Sequence, residues 1–249
     1  MTRQALTLRS YQEQAITDLR RAYRWGRKAP LFVLPTGGGK TQVLAAIVRG
    51  VSDYGRRALI LVHRRELIQQ TSAKLDLAGV EHGIIAAGFE VSNSAVQVAS
   101  VQTLVRRLQT LHFTPDFIVI DECHRGSAAA DSAWREILEY FSSATQIGLT
   151  ATPKETKDVS NIDYFGEPIY TYSLRQGIDD GFLAPYKVVR IGIDKDMLGW
   201  RPEHGQIDKY GNVIEDREYN LNDYDRNLFL EKRTEVVAAK VTEFLRSTN

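Results

Sequence analysis

The stretch from Leu34 to Thr41, LPTGGGKT, contains the first residues whose types and spacing could do chemistry. It lies between a short apolar block, PLFVLP, and a stretch with helical spacing. Glycines let the backbone curl so that several N–H groups face one point, and the start of a helix favours negative charge there. A lysine adds a point charge, and a threonine hydroxyl can ligate magnesium. This pattern predicts a phosphate-binding loop whose candidate nucleotide ligands are Thr36, Gly37, Gly38, Gly39, Lys40 and Thr41.

The loop departs from the general pattern G-x-x-x-x-G-K-[ST] at Leu34, where that pattern has glycine. The shorter form G-x-G-K-T is intact. The alternative is a glycine-rich turn that only joins a strand to a helix. Three glycines followed by Lys-Thr make this alternative the less favoured one. By itself, the loop predicts only nucleotide binding.

Two adjacent carboxylates, Asp121 and Glu122, follow the apolar block FIVI. Open α/β sheets hold their ligands at the carboxyl ends of strands. Asp121 can hold a magnesium ion, mainly through its waters, and Glu122 can accept the proton of the water that attacks the γ-phosphate. An isolated Asp-Glu pair is more often an acidic strand end that faces solvent. The upstream loop favours the catalytic interpretation, in which Lys40 is the third catalytic candidate.

The composition sets limits on the class of protein. Apolar residues make up 43% and charged residues 25%, as in ordinary soluble domains, and a net charge of +1 gives no indication of nucleic-acid binding. The apolar stretches are too short for a membrane span, and the polar start MTRQALTLRS has no signal-peptide apolar region. The single cysteine, Cys123, excludes an intramolecular disulfide and suits a reducing compartment. We therefore expect a cytoplasmic protein without a membrane partner.

Short apolar blocks alternate with longer amphipathic stretches along the first 150 residues. This alternation predicts an α/β fold with a mostly parallel sheet flanked by helices. The predicted strands are PLFVLP, RALILVH, HGIIAAG, AVQVAS, DFIVID and TQIGLTA, with a further candidate at Tyr186–Ile193. The predicted helices are Tyr11–Trp25, Thr41–Tyr54, Arg65–Leu77, Val101–Leu111 and Ser132–Phe141.

The pattern changes after Pro153, and it divides the chain into three parts. Residues 1–194 are predicted to form the nucleotide-binding lobe. Residues 195–226 are polar and predict a surface excursion rather than a domain. Residues 227–249 have helical apolar spacing and predict a connector helix.

The order of three motifs resembles superfamily-two helicases and translocases. The GKT loop, the DECH box at 121–124 and the triplet Thr150-Ala151-Thr152 are similar to motifs one, two and three of that superfamily. Upstream, LRSYQ resembles the Q motif, which implies that Arg9 and Gln12 contact the adenine. The resemblance implies a RecA-like P-loop NTPase lobe that uses ATP and Mg²⁺. It also implies that Thr150 and Thr152 couple hydrolysis to nucleic-acid binding.

Two further segments resemble motifs that face the nucleic-acid backbone in this superfamily. HRREL at 63–67 is similar to motif Ia, and SVQT at 100–103 is similar to motif Ib. Their hydroxyl, amide and guanidinium groups suit phosphate contact. The alternatives are a solvated helix start and a helix cap. The candidate nucleic-acid ligands are Arg64, Arg65, Ser100, Gln102 and Thr103.

The DECH box ends with Cys123 and His124. Adjacent residues on a strand point to opposite faces, which disfavours a catalytic Cys–His pair. We expect Cys123 to pack in the core, because related boxes carry a small residue there. His124 is expected to link the ATP site to motif three.

Beyond Pro153, YFGEPIY at 164–170 and GIDDGFLAPY at 177–186 resemble the motor subunit of type I restriction enzymes and related ResIII-type helicases. The resemblance implies duplex DNA as the nucleic acid, other subunits of a restriction-type complex as possible partners, and a second RecA-like lobe, in cis or in trans, that supplies arginine fingers. We find no nuclease pattern before the Q motif. We expect weak turnover from the 249 residues alone, since an arginine finger is worth about 10³ to 10⁵ in rate.

Two other function classes stay open. One is an ATP-dependent switch or assembly module that never translocates. The other is an unrelated P-loop kinase or GTPase, which the Q-motif match and the TAT triplet disfavour.

Overall fold

The computed structural model describes residues 7–90, 92–123, 132–153, 161–188, 200–207, 211–219 and 231–248. The chain forms two compact units, residues 1–185 and residues 186–249. The boundary predicted at residue 194 lies outside the described residues, so the three-part division stays a prediction.

A seven-stranded sheet forms the centre of the first unit. Its order is β3-β4-β2-β5-β6-β1-β7, and every described strand pair is parallel. The six predicted strand blocks all lie in this sheet, so the predicted α/β class is confirmed. The strands are β1 Leu31–Val33, β2 Ala58–Val62, β3 Gly83–Ile85, β4 Val96–Ser100, β5 Phe117–Asp121, β6 Thr145–Thr150 and β7 Tyr170–Thr171.

Helices connect the strands and cover the sheet. They are α1 Ser10–Arg24, α2 Lys40–Asp53, α3 Arg65–Leu77, α4 Val101–Val105, α5 Ala133–Tyr140, α6 Asn161–Phe165 and α7 Leu174–Asp179, and α8 Glu231–Thr248 belongs to the second unit.

Two predicted elements differ from the structure. The helix predicted over Val101–Leu111 ends at Val105, because the backbone then tightens into turns in which Arg107 N bonds Leu104 O and Thr110 N bonds Arg107 O. The strand predicted over Tyr186–Ile193 is absent at residues 186–188, and its remaining residues lie outside the described part.

The core lies on both faces of the sheet, which explains why the strand blocks are continuously apolar. All five residues of β2 are buried: Ala58, Ile60 and Val62 face one cluster, and Leu59 and Leu61 face the other. Helices α1, α2 and α3 cover the first face, and α4 and α5 cover the second. This packing fixes the carboxyl ends of the strands at one edge, where the candidate residues lie.

The second unit contains a small antiparallel arrangement and the helix α8. Isolated bridges pair Trp200 with Tyr219 and Ile207 with Val213, and Ile214 packs with Tyr219 and Trp200. None of the helices that the structure describes combines the length and the apolar character of a membrane span.

Candidate nucleotide site

The phosphate loop joins β1 to α2 and has a backbone that only glycine adopts readily. Gly37 and Gly39 have φ values of +80° and +77°, in the left-handed region. Gly39 is the N-cap of α2, so the loop ends at the N-terminus of that helix. A helix N-terminus presents N–H groups without intrahelical partners and a positive dipole end. The loop therefore has the backbone geometry of an anion site.

Helix α1 holds the loop from one side. The hydroxyl of Tyr11 donates to Gly38 O at 2.8 Å, and Gln12 Nε2 lies 3.2 Å from the same oxygen. Gln12 Oε1 accepts from Arg9 N at 2.9 Å, so this buried amide bridges the start of α1 and the loop. Gln12 leaves no room for a side chain at Gly39, because a Cβ there would collide with Gln12 Nε2.

The two carboxylates at the end of β5 face the lysine of the loop. Lys40 Nζ lies 3.6 Å from Glu122 Oε1 and 3.4 Å from Leu34 O. Glu122 has a φ of +53°, the only positive value at a non-glycine residue in the described part of the chain. This conformation is costly for glutamate, and strain of this kind concentrates at functional sites. It turns the chain sharply after the strand.

Asp121 is buried beside this pair, with 6% of its surface exposed. Desolvation, and to a smaller extent the neighbouring Glu122 carboxylate, raises the pKa of its carboxyl to about 6, although Lys40 acts to lower it. The Oδ1 atom accepts from Glu122 N at 3.1 Å. Burial of the ionised Asp121 carboxylate costs free energy, and a bound cation would reduce that cost.

The end of β6 reaches the same edge. Thr150 is buried, Leu34 N donates to its carbonyl oxygen at 2.9 Å, and Thr152 N donates to its hydroxyl oxygen at 3.1 Å. A cleft of about 430 Å³ opens between the segments that resemble motifs one, Ia, two and three. Its lining residues are Thr36, His63, Arg64, Glu66, Leu67, Gln70, Glu122, Ala151 and Thr152.

The two segments that resemble motifs Ia and Ib also adjoin each other. Gln102 Nε2 donates to His63 O at 3.3 Å, and Ser100 Oγ donates to Gln102 Oε1 at 2.9 Å. Ser100 is the N-cap of α4, and its side chain donates to Gln102 instead of making a capping bond. Arg64 and Arg65 are exposed at the start of α3, and Thr103 is half-buried.

A comparison with protein families identifies the chain. Residues 5–155 match the ResIII model, which is described as the res subunit of type III restriction enzymes. This match covers more than half of the chain, and it contains the phosphate loop, both carboxylates and Thr150. The chain belongs to the ResIII family.

Its sequence relatives include restriction enzyme subunits. The ResIII chain is 47% identical over 253 residues to the type I restriction enzyme EcoAI endonuclease subunit of Escherichia coli, covering 97% of the chain and 31% of that subunit. It is 29% identical over 285 residues to the EcoKI endonuclease subunit of Escherichia coli K12, covering 98% and 24%. The chain therefore spans less than a third of either relative.

Solved structures show the same fold. A nuclease-deletion mutant of the type ISP restriction-modification enzyme LlaGI, in complex with a DNA substrate mimic, matches with a TM-score of 0.58 at 19% identity, over 72% of this chain and 18% of that one. The Hef helicase domain of Pyrococcus furiosus matches with a TM-score of 0.52 at 25% identity, over 66% and 37%. The first unit of the ResIII chain thus has the fold of a RecA-like helicase lobe.

Most predicted site residues of the ResIII chain meet at one sheet edge. The loop, Arg9, Gln12, Asp121, Glu122 and Thr150 are connected through the contacts given above, whereas His124 lies outside the described residues. Cys123 is fully buried in the core, and burial raises the pKa of its thiol, as the packing interpretation predicts.

Sequence reasoning did not identify the aromatic residues next to the loop. The ring of Tyr172 stacks on Tyr11 with 4.0 Å between centroids, and the guanidinium of Arg9 lies 4.7 Å from the ring centroid of Phe182. Phe182 lies in the GIDDGFLAPY segment, which carried the family resemblance but no assigned role. Its position directly after Gly181 was the only available signal.

Proposed function

We propose that this chain is the ATP-binding lobe of an ATP-dependent DNA helicase or translocase of restriction-type systems. The observation that carries the proposal is the meeting of the phosphate loop, Lys40 and the Asp121–Glu122 pair at the carboxyl edge of a parallel sheet. The names of the relatives and the family match support the restriction-type assignment.

The described residues fit ATP with a magnesium ion. The loop N–H groups and Lys40 suit the phosphates, and the ligands for the metal would be Thr41 and Asp121, partly through water. Within the described part of the chain, no group of three or more His, Cys, Asp or Glu could hold a metal. A site whose protein ligands are Thr41 and Asp121 suits an ion that one or two carboxylates and the substrate phosphates hold together. Bound magnesium would neutralise charge on the β- and γ-phosphates.

The chain's own residues then have distinct roles in hydrolysis. Lys40 binds the phosphate oxygens, which breaks its contact with Glu122 and leaves that carboxylate to accept the proton of the attacking water. Arg9 and Gln12 contact the adenine, and Gln12 also touches Gly38 O, so base binding is linked directly to the loop.

The cleft offers a route from hydrolysis to nucleic acid. It brings together Arg64, Glu122 and Thr152, so a movement at the γ-phosphate reaches the DNA-facing segment within one cleft. Thr150 and His124 complete the proposed coupling set. The proposed ligands of the DNA backbone are Arg64, Arg65, Ser100, Gln102 and Thr103. Contacts of this kind are largely independent of base sequence.

We further propose three partners: duplex DNA, a second RecA-like lobe in cis or in trans, and other subunits of a restriction-type complex. The LlaGI structure with a DNA substrate mimic supports the first, and the EcoAI subunit name supports the last. The use of ATP and DNA together suits the cytoplasm. The 249 residues alone should bind nucleotide and hydrolyse it slowly, because the arginine fingers belong to the second lobe.

The competing function is an ATP-dependent switch that does not translocate. The two are separated by measuring the affinity for a non-hydrolysable ATP analogue with magnesium, with and without a short DNA duplex, because coupling between sites is reciprocal. A change in affinity that Arg64→Ala reduces supports the motor lobe. Unchanged affinity at a duplex concentration that saturates the protein supports the switch instead.

A further inference from the structure

We propose that Phe182 is the stacking wall for the base of the bound nucleotide, in an inference that rests on the proposed ATP site. Phe182 follows α7 and lies beside Arg9, which the family resemblance places at the adenine. The ring is 38% exposed, and its neighbours are the guanidinium of Arg9 and the ring of Tyr11, whose centroid is 5.4 Å away.

The segment that carries Phe182 is fixed to the phosphate loop. Tyr172 stacks on Tyr11 with 2° between the ring planes, and its hydroxyl donates to Asp180 Oδ2 at 2.6 Å. Tyr11 in turn donates to Gly38 O. On the other side, Leu183 lies against the loop, since a Cβ at Gly37 would be 3.0 Å from Leu183 Cδ2. Phe182 therefore lies between Tyr11 and Leu183, and both of these residues contact the loop.

A tight turn sets the direction of the ring. Gly181 has a φ of +73°, and the N–H groups of Phe182 and Leu183 both donate to Gly177 O, at 2.9 and 2.8 Å. Leu183 packs into the space over Gly177. The turn buries Leu183 partly and leaves the Phe182 ring accessible. A partly exposed aromatic ring that a rigid turn places beside a loop is suited to hold a flat ligand.

The arrangement of Arg9 and Phe182 fits a purine. Both groups are flat, and both stack favourably on aromatic rings. Arg9 is exposed and its Nη1 donates to the Tyr11 hydroxyl at a long 3.3 Å, so exchanging this bond for the base would let the guanidinium move away from the ring and admit a base between the two groups. Base stacking does not depend on the pattern of donors and acceptors, so Phe182 contributes affinity without selecting among bases.

The experiment compares two ligands, the ATP analogue ATPγS and inorganic tripolyphosphate, which has the phosphates but no base. The stacking role predicts that Phe182→Ala weakens ATPγS binding roughly ten- to one-hundredfold and leaves the tripolyphosphate affinity unchanged. Phe182→Trp should restore the affinity for ATPγS. Tyr54→Ala removes an aromatic ring that is 87% exposed at the end of α2, and it serves as the matched control.

Two results would overturn the proposal while the proposed function stands: an unchanged ATPγS affinity in Phe182→Ala, or an equal loss for both ligands, which would mean that Phe182 only positions the loop. Failure of the unsubstituted chain to bind either ligand, or equal binding by Lys40→Ala, would overturn the proposed function itself. The two failures are therefore distinguishable.

Discussion

Replacing Asp121 with asparagine should make the free protein more stable while it removes magnesium-dependent activity. The buried carboxylate is a cost to the fold, because desolvation and Glu122 raise its pKa to about 6. Asparagine has nearly the same shape, and its Oδ1 can still accept the bond from Glu122 N. The substitution therefore removes the charge and retains the packing.

The size of the effect follows from the change in pKa. The ordinary value is 3.8 and the folded value is about 6. At ~1.4 kcal/mol for each pKa unit, ionised Asp121 costs the folded state about 3 kcal/mol. The cost is absent below pH 3.8, because Asp121 is then protonated in both states. It grows as the pH rises from about 4 to 6, since the unfolded state loses its proton first, and it is complete above 6.

The assay is thermal unfolding of the nucleotide-free protein at pH 4.0 and pH 7.5. At pH 7.5, Asp121→Asn should raise Tm by roughly 6 to 12 °C, and the gain should be small at pH 4.0. Asp116→Asn is the matched control, because hydrogen bonds from Arg57 N and the Arg56 side chain, at 2.8 and 3.1 Å, lower the pKa of Asp116. Asp116→Asn should therefore lower Tm at pH 7.5.

A loss of stability in Asp121→Asn at pH 7.5 would refute this reasoning. A gain of the same size at both pH values would also refute it, because it would trace the effect to packing rather than to charge. Magnesium alone, added to the unsubstituted protein at pH 7.5, should recover part of the stability, and it should have no such effect on Asp121→Asn.

Three further predictions concern the loop, the DNA-facing surface and the cysteine. Gly39→Ala should abolish nucleotide binding and lower the free energy of unfolding by about 1 kcal/mol or more, because Gly39 has a positive φ and Gln12 fills the space beside it. The control is Gly50→Ala, in α2 with open space around it. This variant should gain about 0.5 to 1 kcal/mol in the free energy of unfolding and bind nucleotide normally. Equal nucleotide affinity in both variants would contradict this. Arg64→Ala and Arg65→Ala should each reduce the slope of log affinity for duplex DNA against log salt by about one, and unchanged slopes would remove these residues from the interface. Cys123 should resist iodoacetamide in the native protein and react readily in guanidinium, since it is buried and its pKa is raised; fast native labelling would disprove its packing role.

The sequence was sufficient to predict the strands of a parallel sheet and the edge at which the candidate residues meet. Apolar blocks such as RALILVH can be read as strands buried on both faces, and parallel strands bring their carboxyl ends together. Lys40 and Glu122 were therefore expected at one edge, and their 3.6 Å separation agrees with that. The short α4 was not predictable, because its apolar spacing continues through the turns that follow Val105.

Other parts of the site depend on tertiary contacts that leave no periodic signal. The stacking of Tyr11 on Tyr172 joins residues that are far apart in the sequence of the lobe. The positive φ of Glu122 contradicts local preference, since nothing in the sequence Asp121-Glu122-Cys123 favours a left-handed residue. The raised pKa of Asp121 comes from burial by the whole sheet edge. These features arise from the tertiary structure and not from local sequence patterns.

The central claim, that the loop from Leu34 to Thr41 binds ATP, is tested most directly by calorimetry of ATPγS with magnesium on the unsubstituted chain and on Lys40→Ala. The account predicts one saturable site in the unsubstituted chain, with heat of binding that disappears in Lys40→Ala while that variant still unfolds cooperatively. Equal binding by both proteins, or no binding by the folded unsubstituted chain, would contradict the account.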